Sequence, residues 1–333
     1  MARDALGRTI DYLRISVTER CNFRCVYCMP EEGLPRRSHD EMLDYDDIER
    51  LVRIATRFGI RRLRLTGGEP LARRRIEDLI ARLVAVPGIE AVALTTNGAL
   101  LPAKAEALKA AGLSRVNISL DTLDPVKFTQ VTRCGRLEDT LAGIDAALRM
   151  GFDPVKVNCV AVRSLEQDFT EFAKLTIDRP LHVRFIEFMP IGDTGCGGTI
   201  WTSDDIIPSL KLMEEINTGL AEQGLPMLVP AKTNAPVTWG PAQSFHIPGA
   251  LGTVGFITPM SNHFCGACNR VRVTADGKLR PCLFSDREYD ALDVLRNGSD
   301  DDVARILQTA IETKPADHVG ITGTARGMSQ IGG

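Results

Sequence analysis

The sequence predicts an α/β fold whose parallel strands form a sheet that is either open or closed into a barrel. The first two thirds of the chain repeat one pattern, a short apolar or β-branched run followed by a helix-like segment, at intervals of roughly thirty residues. Polar residues alternate with apolar residues inside these runs. The six predicted strands lie near residues 13–17, 61–66, 91–96, 115–120, 155–162 and 182–189.

Each predicted strand is followed by a segment of helical character. The clearest of these segments are residues 48–58, 76–86 and 137–150. The first follows the acidic pair Asp46-Asp47, and acidic residues are favoured in the first turn of a helix. Parallel strands need long crossover connections, which are usually helices, so these segments support a parallel sheet.

The alternation of polar and apolar residues indicates where each strand face lies. In the first strand, Arg14, Ser16 and Thr18 occupy alternate positions between apolar residues, and a period of two places them on one face. The apolar face must meet the helices, so the polar face is expected to line a barrel lumen. A packed lumen would be filled by Val, Ile and Leu. We therefore expect an open lumen occupied by ligand, and six units instead of eight predict a wide, partly open cup.

The repeat breaks near residue 225, where several prolines and glycines indicate irregular structure. Two helical segments follow, near residues 291–295 and 301–312. We therefore predict two domains: residues 1–225 form the barrel, and residues 226–333 form a smaller domain that covers its open side.

Composition argues against several classes of protein. The 333 residues are 44% hydrophobic and 25% charged, which is ordinary for a soluble globular protein, and a net charge of −3 gives no indication of nucleic-acid binding. No apolar run approaches the length of a membrane span, and the N-terminus lacks the apolar core of a signal peptide. Six of the nine cysteines form two triplets, a distribution typical of metal sites, so we expect a reducing cytoplasm.

The first triplet consists of Cys21, Cys25 and Cys28, just after the first predicted strand. Thiolates this close in sequence usually share a metal ion or an iron–sulfur cluster. No fourth cysteine or histidine lies nearby, so a cubane held by these three would leave one iron open for a ligand. A structural zinc site with a distant fourth ligand is the alternative.

The Cys-x3-Cys-x2-Cys spacing, with aromatic Tyr27 before the last cysteine, resembles the signature of the radical S-adenosylmethionine (SAM) enzymes. The resemblance implies a partial (β/α)6 barrel of the TIM type and a [4Fe-4S] cluster whose open iron chelates SAM. The turn Thr66-Gly67-Gly68-Glu69-Pro70 resembles the site for the amino group of SAM. The SAM contacts implied in this way are Tyr27, Gly67, Gly68, Glu69, Ser119 and Met189.

The second triplet consists of Cys265, Cys268 and Cys282. Its spacing alone leaves open an iron–sulfur site or a Cys3His zinc site completed by His263. Followed by Asn-Arg-x-Arg, it resembles the GTP 3′,8-cyclase family of radical SAM enzymes, which catalyse the first step of molybdenum cofactor biosynthesis. That resemblance implies a second [4Fe-4S] cluster in the C-terminal domain, with an open iron that takes the purine of GTP.

Basic residues on the polar strand faces predict an anionic ligand. Unpaired buried charge costs several kcal/mol per ion, and guanidinium groups bind phosphates bidentately, so a triphosphate would fit. Alternatively, each side chain reaches solvent or pairs with a carboxylate. Arg62 lies where relatives often carry lysine, and Arg184 matches the catalytic arginine of the family. The family's other GTP-binding positions match Arg14, Arg64, Thr95, Lys156, Arg270 and Arg272.

The terminal Gly332-Gly333 matches a double glycine that reaches the active site in that family, which implies a catalytic role. The implied reaction converts GTP, SAM and a reductant to (8S)-3′,8-cyclo-7,8-dihydroguanosine 5′-triphosphate, 5′-deoxyadenosine and methionine. The implied partners are an external electron donor, the next pathway enzyme (cyclic pyranopterin monophosphate synthase) and a second copy of the chain. Two rivals stay open: a peptide-maturing radical SAM enzyme with auxiliary clusters, and a non-catalytic iron–sulfur or zinc sensor.

Overall fold

Six parallel strands in sequence order form the centre of the sheet. The computed structural model describes residues 2–191, 201–231, 240–319, 324 and 326–332. All six central strands lie within two residues of their predicted positions, so the repeat was read correctly. They are β1 (Tyr12–Ser16), β2 (Arg62–Thr66), β3 (Ala91–Thr96), β4 (Arg115–Ser119), β5 (Val155–Ala161) and β6 (Leu181–Glu187).

Helices connect these strands and pack on the apolar face of the sheet. At the start of α1, the Asp44 carboxylate accepts from the backbone N–H of Asp47, whose side chain accepts in turn from the backbone of Asp44. In the described part of the chain, no helix combines the length and apolar character that a membrane crossing requires. The helices are α1 (Tyr45–Thr56), α2 (Ile76–Val84), α3 (Ala105–Ala110), α4 (Pro125–Thr132), α5 (Leu137–Arg149), α6 (Phe169–Lys174) and α7 (Ser209–Glu222).

The C-terminal segment adds short strands to both edges of the central sheet. β9 pairs in parallel with β6, and β10 pairs in parallel with β1. Its elements are β7 (Val229–Pro230), β8 (Gln243–His246), β9 (Thr253–Ile257), β10 (Arg270–Val273), β11 (Lys278–Arg280), β12 (Tyr289–Asp290), α8 (Leu292–Asn297) and α9 (Asp300–Glu312).

Within the described residues, one sheet runs in the order β12-β11-β10-β1-β2-β3-β4-β5-β6-β9-β8-β7. The segment after residue 225 was expected to be irregular, but it supplies six strands of two to five residues. Edge strands carry unpaired backbone N–H and C=O groups, and β9 and β10 satisfy those of β6 and β1. The domain boundary at residue 225 falls just after α7 and stays a prediction.

The two faces of the central strands differ as the alternation predicted. Leu13, Ile15 and Leu63 are fully buried in the apolar core beneath the helices. Arg14 and Arg64 point the other way and line a cavity. The sheet therefore presents a polar surface to an open lumen.

Candidate active site

A cavity of about 330 Å³ lies over the carboxyl ends of the central strands. Thr66, Thr96 and Ser119, the last residues of β2, β3 and β4, line it. All six cysteines of the two triplets also line it, although the triplets are far apart in sequence. Ligand sites of α/β barrels lie at this end of the strands, where loops from several strands converge.

The first triplet lies in the loop after β1. Burial raises the pKa of the Cys21 thiol to about 11 and that of Cys28 to about 12, so thiolates here need a bound cation. Among the described residues, no group of three or more His, Cys, Asp or Glu side chains converges on a point suited to a single metal ion. In a cubane each thiolate would bind a different iron, so a cluster does not require the three sulfurs to meet at a single point.

The end of α4 holds this cysteine loop in place. The backbone N–H groups of Arg24 and Val26 donate to the carbonyls of Thr132 and Val131, at 3.0 and 2.9 Å. The guanidinium of Arg24 donates to the Cys21 carbonyl at 2.6 Å. These hydrogen bonds tie the backbone of the cysteine loop to the end of α4.

The Gly67-Gly68-Glu69 turn packs directly against the chain that leads into Cys21. The backbone N–H groups of Gly68 and Glu69 donate to the carbonyls of Thr18 and Arg20, both at 2.7 Å. Gly67 has φ +142°, and a Cβ there would lie 2.2 Å from the Thr18 carbonyl oxygen. Only glycine fits this approach.

Glu69 lies behind the two glycines and outside the set of residues that line the cavity. Its fully buried carboxylate accepts from the N–H groups of Leu71 and Asn97, at 2.9 and 2.7 Å, and from the Thr96 hydroxyl at 2.8 Å. Burial raises the pKa of Glu69 to about 7 despite these donors. The carboxylate joins the turn after β2 to the end of β3.

Tyr27 has two partners that sequence reasoning missed as site residues. Its hydroxyl donates to the Asp121 carboxylate at 2.7 Å, and its ring stacks on Trp201 with centroids 5.2 Å apart. Asp121 follows the end of β4 and continues the alternation of Asn117 and Ser119, which is the signal that could have found it. Trp201 lies in a stretch without a recognisable motif, so no sequence signal pointed to it.

The second triplet flanks β10 and β11. Cys265 and Cys268 lie at a short 3-10 turn before β10, and Cys282 follows β11. The histidine beside these cysteines is His318, whose Nδ1 lies 3.3 Å from the Cys265 sulfur. His263, the zinc ligand considered from sequence, contacts the His318 ring edge-on.

Three arginines lie side by side across the floor of the cavity. The parallel register places Arg14 of β1 between Arg64 of β2 and Arg272 of β10. Burial, followed by the charges of Arg272 and Arg64, lowers the pKa of Arg14 well below its usual value. Burial and the charge of Arg270 lower the pKa of Arg272 to about 10. Such a row repels itself unless an anion is present.

Positive charge dominates the cavity wall as a whole. Burial and the charge of Arg64 lower the pKa of Arg184 to about 9, while its guanidinium donates to the Asn158 amide oxygen. Among the described lining residues, only Asp121 is a carboxylate. The lining cations are Arg14, Arg64, Arg184, Arg270, Arg272 and Lys314.

Of the remaining predicted SAM and GTP contacts, two line the cavity and two do not. Thr95 and Met189 line the cavity, and Thr95 accepts a hydrogen bond from Arg64 at 3.3 Å. In the described part of the chain, Arg62 and Lys156 are not among the lining residues. Arg62 pairs with Asp11 at 3.3 Å, and Lys156 is 5% exposed.

The C-terminal tail returns to the cavity floor. The Gly332 carbonyl accepts from the Arg272 guanidinium at 2.8 Å, and Gly332 packs beside Ser16 and Thr66. Gly333 lies outside the described residues. The tail therefore reaches the arginine row, next to the strand ends that carry the first cysteine loop.

The chain is similar to known proteins along its whole length. Residues 15–176 match the family model of the radical SAM superfamily, and residues 181–320 match the model described as Molybdenum Cofactor Synthesis C. The GTP 3′,8-cyclase of Heliobacterium modesticaldum is 51% identical over 336 residues, covering 99% of both chains. That of Pelotomaculum thermopropionicum is 48% identical over 335 residues, covering 99% of this chain and 100% of the relative.

Solved structures share the fold at much lower identity. Streptococcus suis SuiB bound to its precursor peptide SuiA has a TM-score of 0.60 and 15% identity, with 91% of this chain and 67% of that chain covered. Native anSMEcpe with bound AdoMet has a TM-score of 0.57 and 14% identity, with 93% and 82% covered. The predicted α/β fold is thereby confirmed.

We expect Gly68→Ala to damage the first cysteine site. The added Cβ would lie 2.4 Å from the Arg20 carbonyl oxygen, so the turn or the cysteine loop must move. Iron content after anaerobic reconstitution and the thermal midpoint should both fall. Gly240→Ala is the matched control, because it lies outside both cysteine triplets and the nearest atom to a Cβ there, Nη1 of Arg184, is 3.9 Å away. Equal iron content and stability in the two variants would contradict this account of the turn.

Proposed function

This chain belongs to the radical SAM superfamily and, within it, to the GTP 3′,8-cyclases, which begin molybdenum cofactor biosynthesis, and we propose how its cavity residues carry out that reaction. The enzyme uses SAM and a [4Fe-4S] cluster, and its substrate is GTP. The proposal assigns this cluster to the first cysteine triplet. It assigns a second [4Fe-4S] cluster to Cys265, Cys268 and Cys282.

The observation that carries the substrate assignment is the arginine row between the two cysteine triplets. Arg14, Arg64 and Arg272 lie in register on one face, and burial together with the charge of neighbouring arginines lowers the pKa of Arg14 and Arg272. A triphosphate supplies the missing negative charge and accepts bidentate hydrogen bonds from guanidinium groups. A nucleoside triphosphate held there would have its base within the same cavity as the second triplet.

SAM is assigned to the other end of the cavity. Gly67 and Gly68 bring backbone close to the first cysteine loop, and Tyr27, Ser119 and Met189, which also line the cavity, are assigned to SAM by the family resemblance. Glu69 already accepts from three protein donors, so it acts on SAM by holding the glycine turn in shape. When bound, SAM and the adjacent cluster supply the one-electron chemistry that removes a hydrogen atom from the ribose of GTP.

The chain's own residues position the substrate for that step. The guanidinium of Arg184 donates two hydrogen bonds to Asn158. These bonds hold it in the lumen, where it acts as a catalytic group. Arg270 and Arg272 hold the phosphates from β10, and Lys156 becomes charged when the triphosphate binds, whereas Arg62 is already paired with Asp11. The Gly332 carbonyl, bonded to Arg272, brings the tail as far as Gly332 to the same arginine, and Gly333 is proposed to act there with it.

Further partners are proposed from the chemistry of the reaction. The reaction consumes electrons, so an external electron donor is needed, and the product passes to cyclic pyranopterin monophosphate synthase. A homodimer and a cytoplasmic location complete the proposal. The eight described cysteines are all free, which fits a reducing compartment.

Two rival functions are less well supported. Peptide-maturing radical SAM enzymes typically carry a longer C-terminal cysteine array than the three residues of this chain, and the likeness to SuiB concerns the fold alone. A non-catalytic iron–sulfur or zinc sensor would not explain why the chain has the glycine turn and the arginine row.

The function is tested by turnover with a set of nucleotides. Anaerobically reconstituted protein, SAM and a reductant should form 5′-deoxyadenosine and cyclised product with GTP, and much less with ATP, CTP or UTP. The reason is that the second cysteine site is expected to select the guanine base. Liquid chromatography of 5′-deoxyadenosine and of the nucleotide product measures both. Equal turnover of all four nucleotides would contradict base recognition at that site.

The second cluster is tested by metal analysis. Two cubane clusters predict about eight irons per chain and no stoichiometric zinc. Cys268→Ala should retain about four irons and still bind SAM, because the first triplet is intact. Wild-type protein with about four irons and one zinc would instead make the C-terminal triplet a structural zinc site.

Proton uptake on GTP binding tests the role of Lys156. Burial, followed by the charge of Arg184, lowers the pKa of Lys156 to about 6, so at pH 8 its amine is neutral without ligand. A bound triphosphate favours the ammonium and raises this pKa, so binding takes up a proton. Affinity should consequently fall as pH rises above about 6, up to the pKa of the bound state.

Isothermal titration with GTP, without reductant, in buffers of different ionisation enthalpy measures this uptake. Lys156→Gln should abolish it, whereas Lys211→Gln, at an exposed position, should retain it. Unchanged uptake in Lys156→Gln would remove Lys156 from the GTP site.

A further inference from the structure

We propose that residues 314–318, which follow α9 and are called here the donor segment, supply hydrogen-bond donors from Lys314 and His318 to the sulfurs of the second cysteine triplet. These donors raise the reduction potential of the cluster held there. The inference rests on the proposed second cluster and adds a tuning role for two residues to which the proposed reaction assigns none.

His318 is fixed next to the Cys265 sulfur. Its Nδ1 lies 3.3 Å from that sulfur, and its ring stacks on Phe284 with centroids 4.3 Å apart and planes 13° apart. The ring of His263 packs against it edge-on at 5.7 Å. The sulfur of a cysteine bound to iron has no proton and can only accept, so Nδ1 must carry the hydrogen and donate it.

Lys314 lies near the other two cysteines of the triplet, Cys268 and Cys282. Its ammonium is buried and donates to the carbonyls of Arg270 and Pro281, at 2.9 and 2.8 Å. These carbonyls belong to residues close in sequence to Cys268 and Cys282. An ammonium has three donors, so one is left for a sulfur. Lys314 lines the same cavity as Cys268 and Cys282.

Arg8, near the N-terminus, forms hydrogen bonds with both the donor segment and the second triplet. The buried guanidinium of Arg8 donates to the carbonyls of Pro315 and Ala316, at 2.7 and 3.0 Å, and to the Cys265 carbonyl at 2.8 Å. Asp4 forms a buried ion pair with it. One side chain thus sets the distance between the donor segment and the first cysteine of the triplet.

Donors to cluster ligands change the reduction equilibrium in a known direction. Hydrogen bonds to the sulfurs and nearby positive charge stabilise the added negative charge of the reduced cluster, so they raise its potential. The couple transfers one electron from an external reductant to the oxidised cluster, and no proton moves. Removing either donor should therefore make the second cluster harder to reduce.

The test uses full-length, anaerobically reconstituted protein and an EPR-monitored redox titration. The signal of the second cluster is the one that changes when GTP is added and is missing in Cys268→Ala. His318→Phe keeps the stacking on Phe284 and removes the donor, and Lys314→Met keeps the apolar stem and removes the ammonium. Each should lower the equilibrium constant for reduction by at least tenfold, which is about 59 mV for a one-electron couple.

His263→Phe is the matched control, because it changes the neighbouring ring and leaves the His318 contact with Cys265 intact. It should keep the wild-type potential. His318→Gln offers an amide donor and should recover part of the loss. The signal of the first cluster should stay unchanged in every variant.

The outcomes separate this inference from the proposed function. Wild-type protein with only about four irons would refute the second cluster itself. About eight irons, with unchanged potentials in His318→Phe and Lys314→Met, would overturn the tuning role and leave the second cluster in place. Loss of the second cluster in His318→Phe and His318→Gln alike would also overturn it, because His318 would then be needed to hold the iron.

Discussion

The site depends on the parallel pairing of β1 with two strands from opposite ends of the sequence. β2 lies on one side of β1 and β10 on the other, and the shared register aligns Arg64, Arg14 and Arg272. The same pairing brings the loop after β1, with the first cysteine triplet, next to the turns around β10, with the second. Without it the two triplets would have no common cavity, and the arginine row would lose one of its members.

The features that could be predicted from the sequence are those encoded by nearby residues or by a regular repeat. The positions of β1 to β6, the polar face containing Arg14 and Arg64, and both cysteine triplets could be predicted because each is encoded within a few neighbouring residues. The strands after residue 225 could not be predicted, since two to five residues are too few to show a period. The pairing of β10 with β1 also depends on the unsatisfied edge of a sheet, which becomes visible only once the sheet is built.

Contacts between residues far apart in the sequence could not be predicted either. Trp201 stacks on Tyr27, His318 approaches Cys265, and Arg8 reaches the donor segment more than 300 residues away. Nothing in the spacing of a single sequence joins such residues. The fold is shared with proteins at 14–15% identity, so we expect the specificity of this chain to depend on such contacts and not on the barrel.

The β1–β10 pairing also dictates the order in which the molecule can be assembled. Strands β1 to β6 are neighbours in sequence order, so the first cysteine loop can form as soon as the early part of the chain folds. The second triplet must wait until the chain has closed a loop of about 250 residues and β10 has found the edge of β1, and such non-local contacts form slowly. Until then the edge of β1 stays open to other chains. We therefore expect iron to reach the first triplet before the sheet is complete, and the second triplet only after β10 has paired with β1.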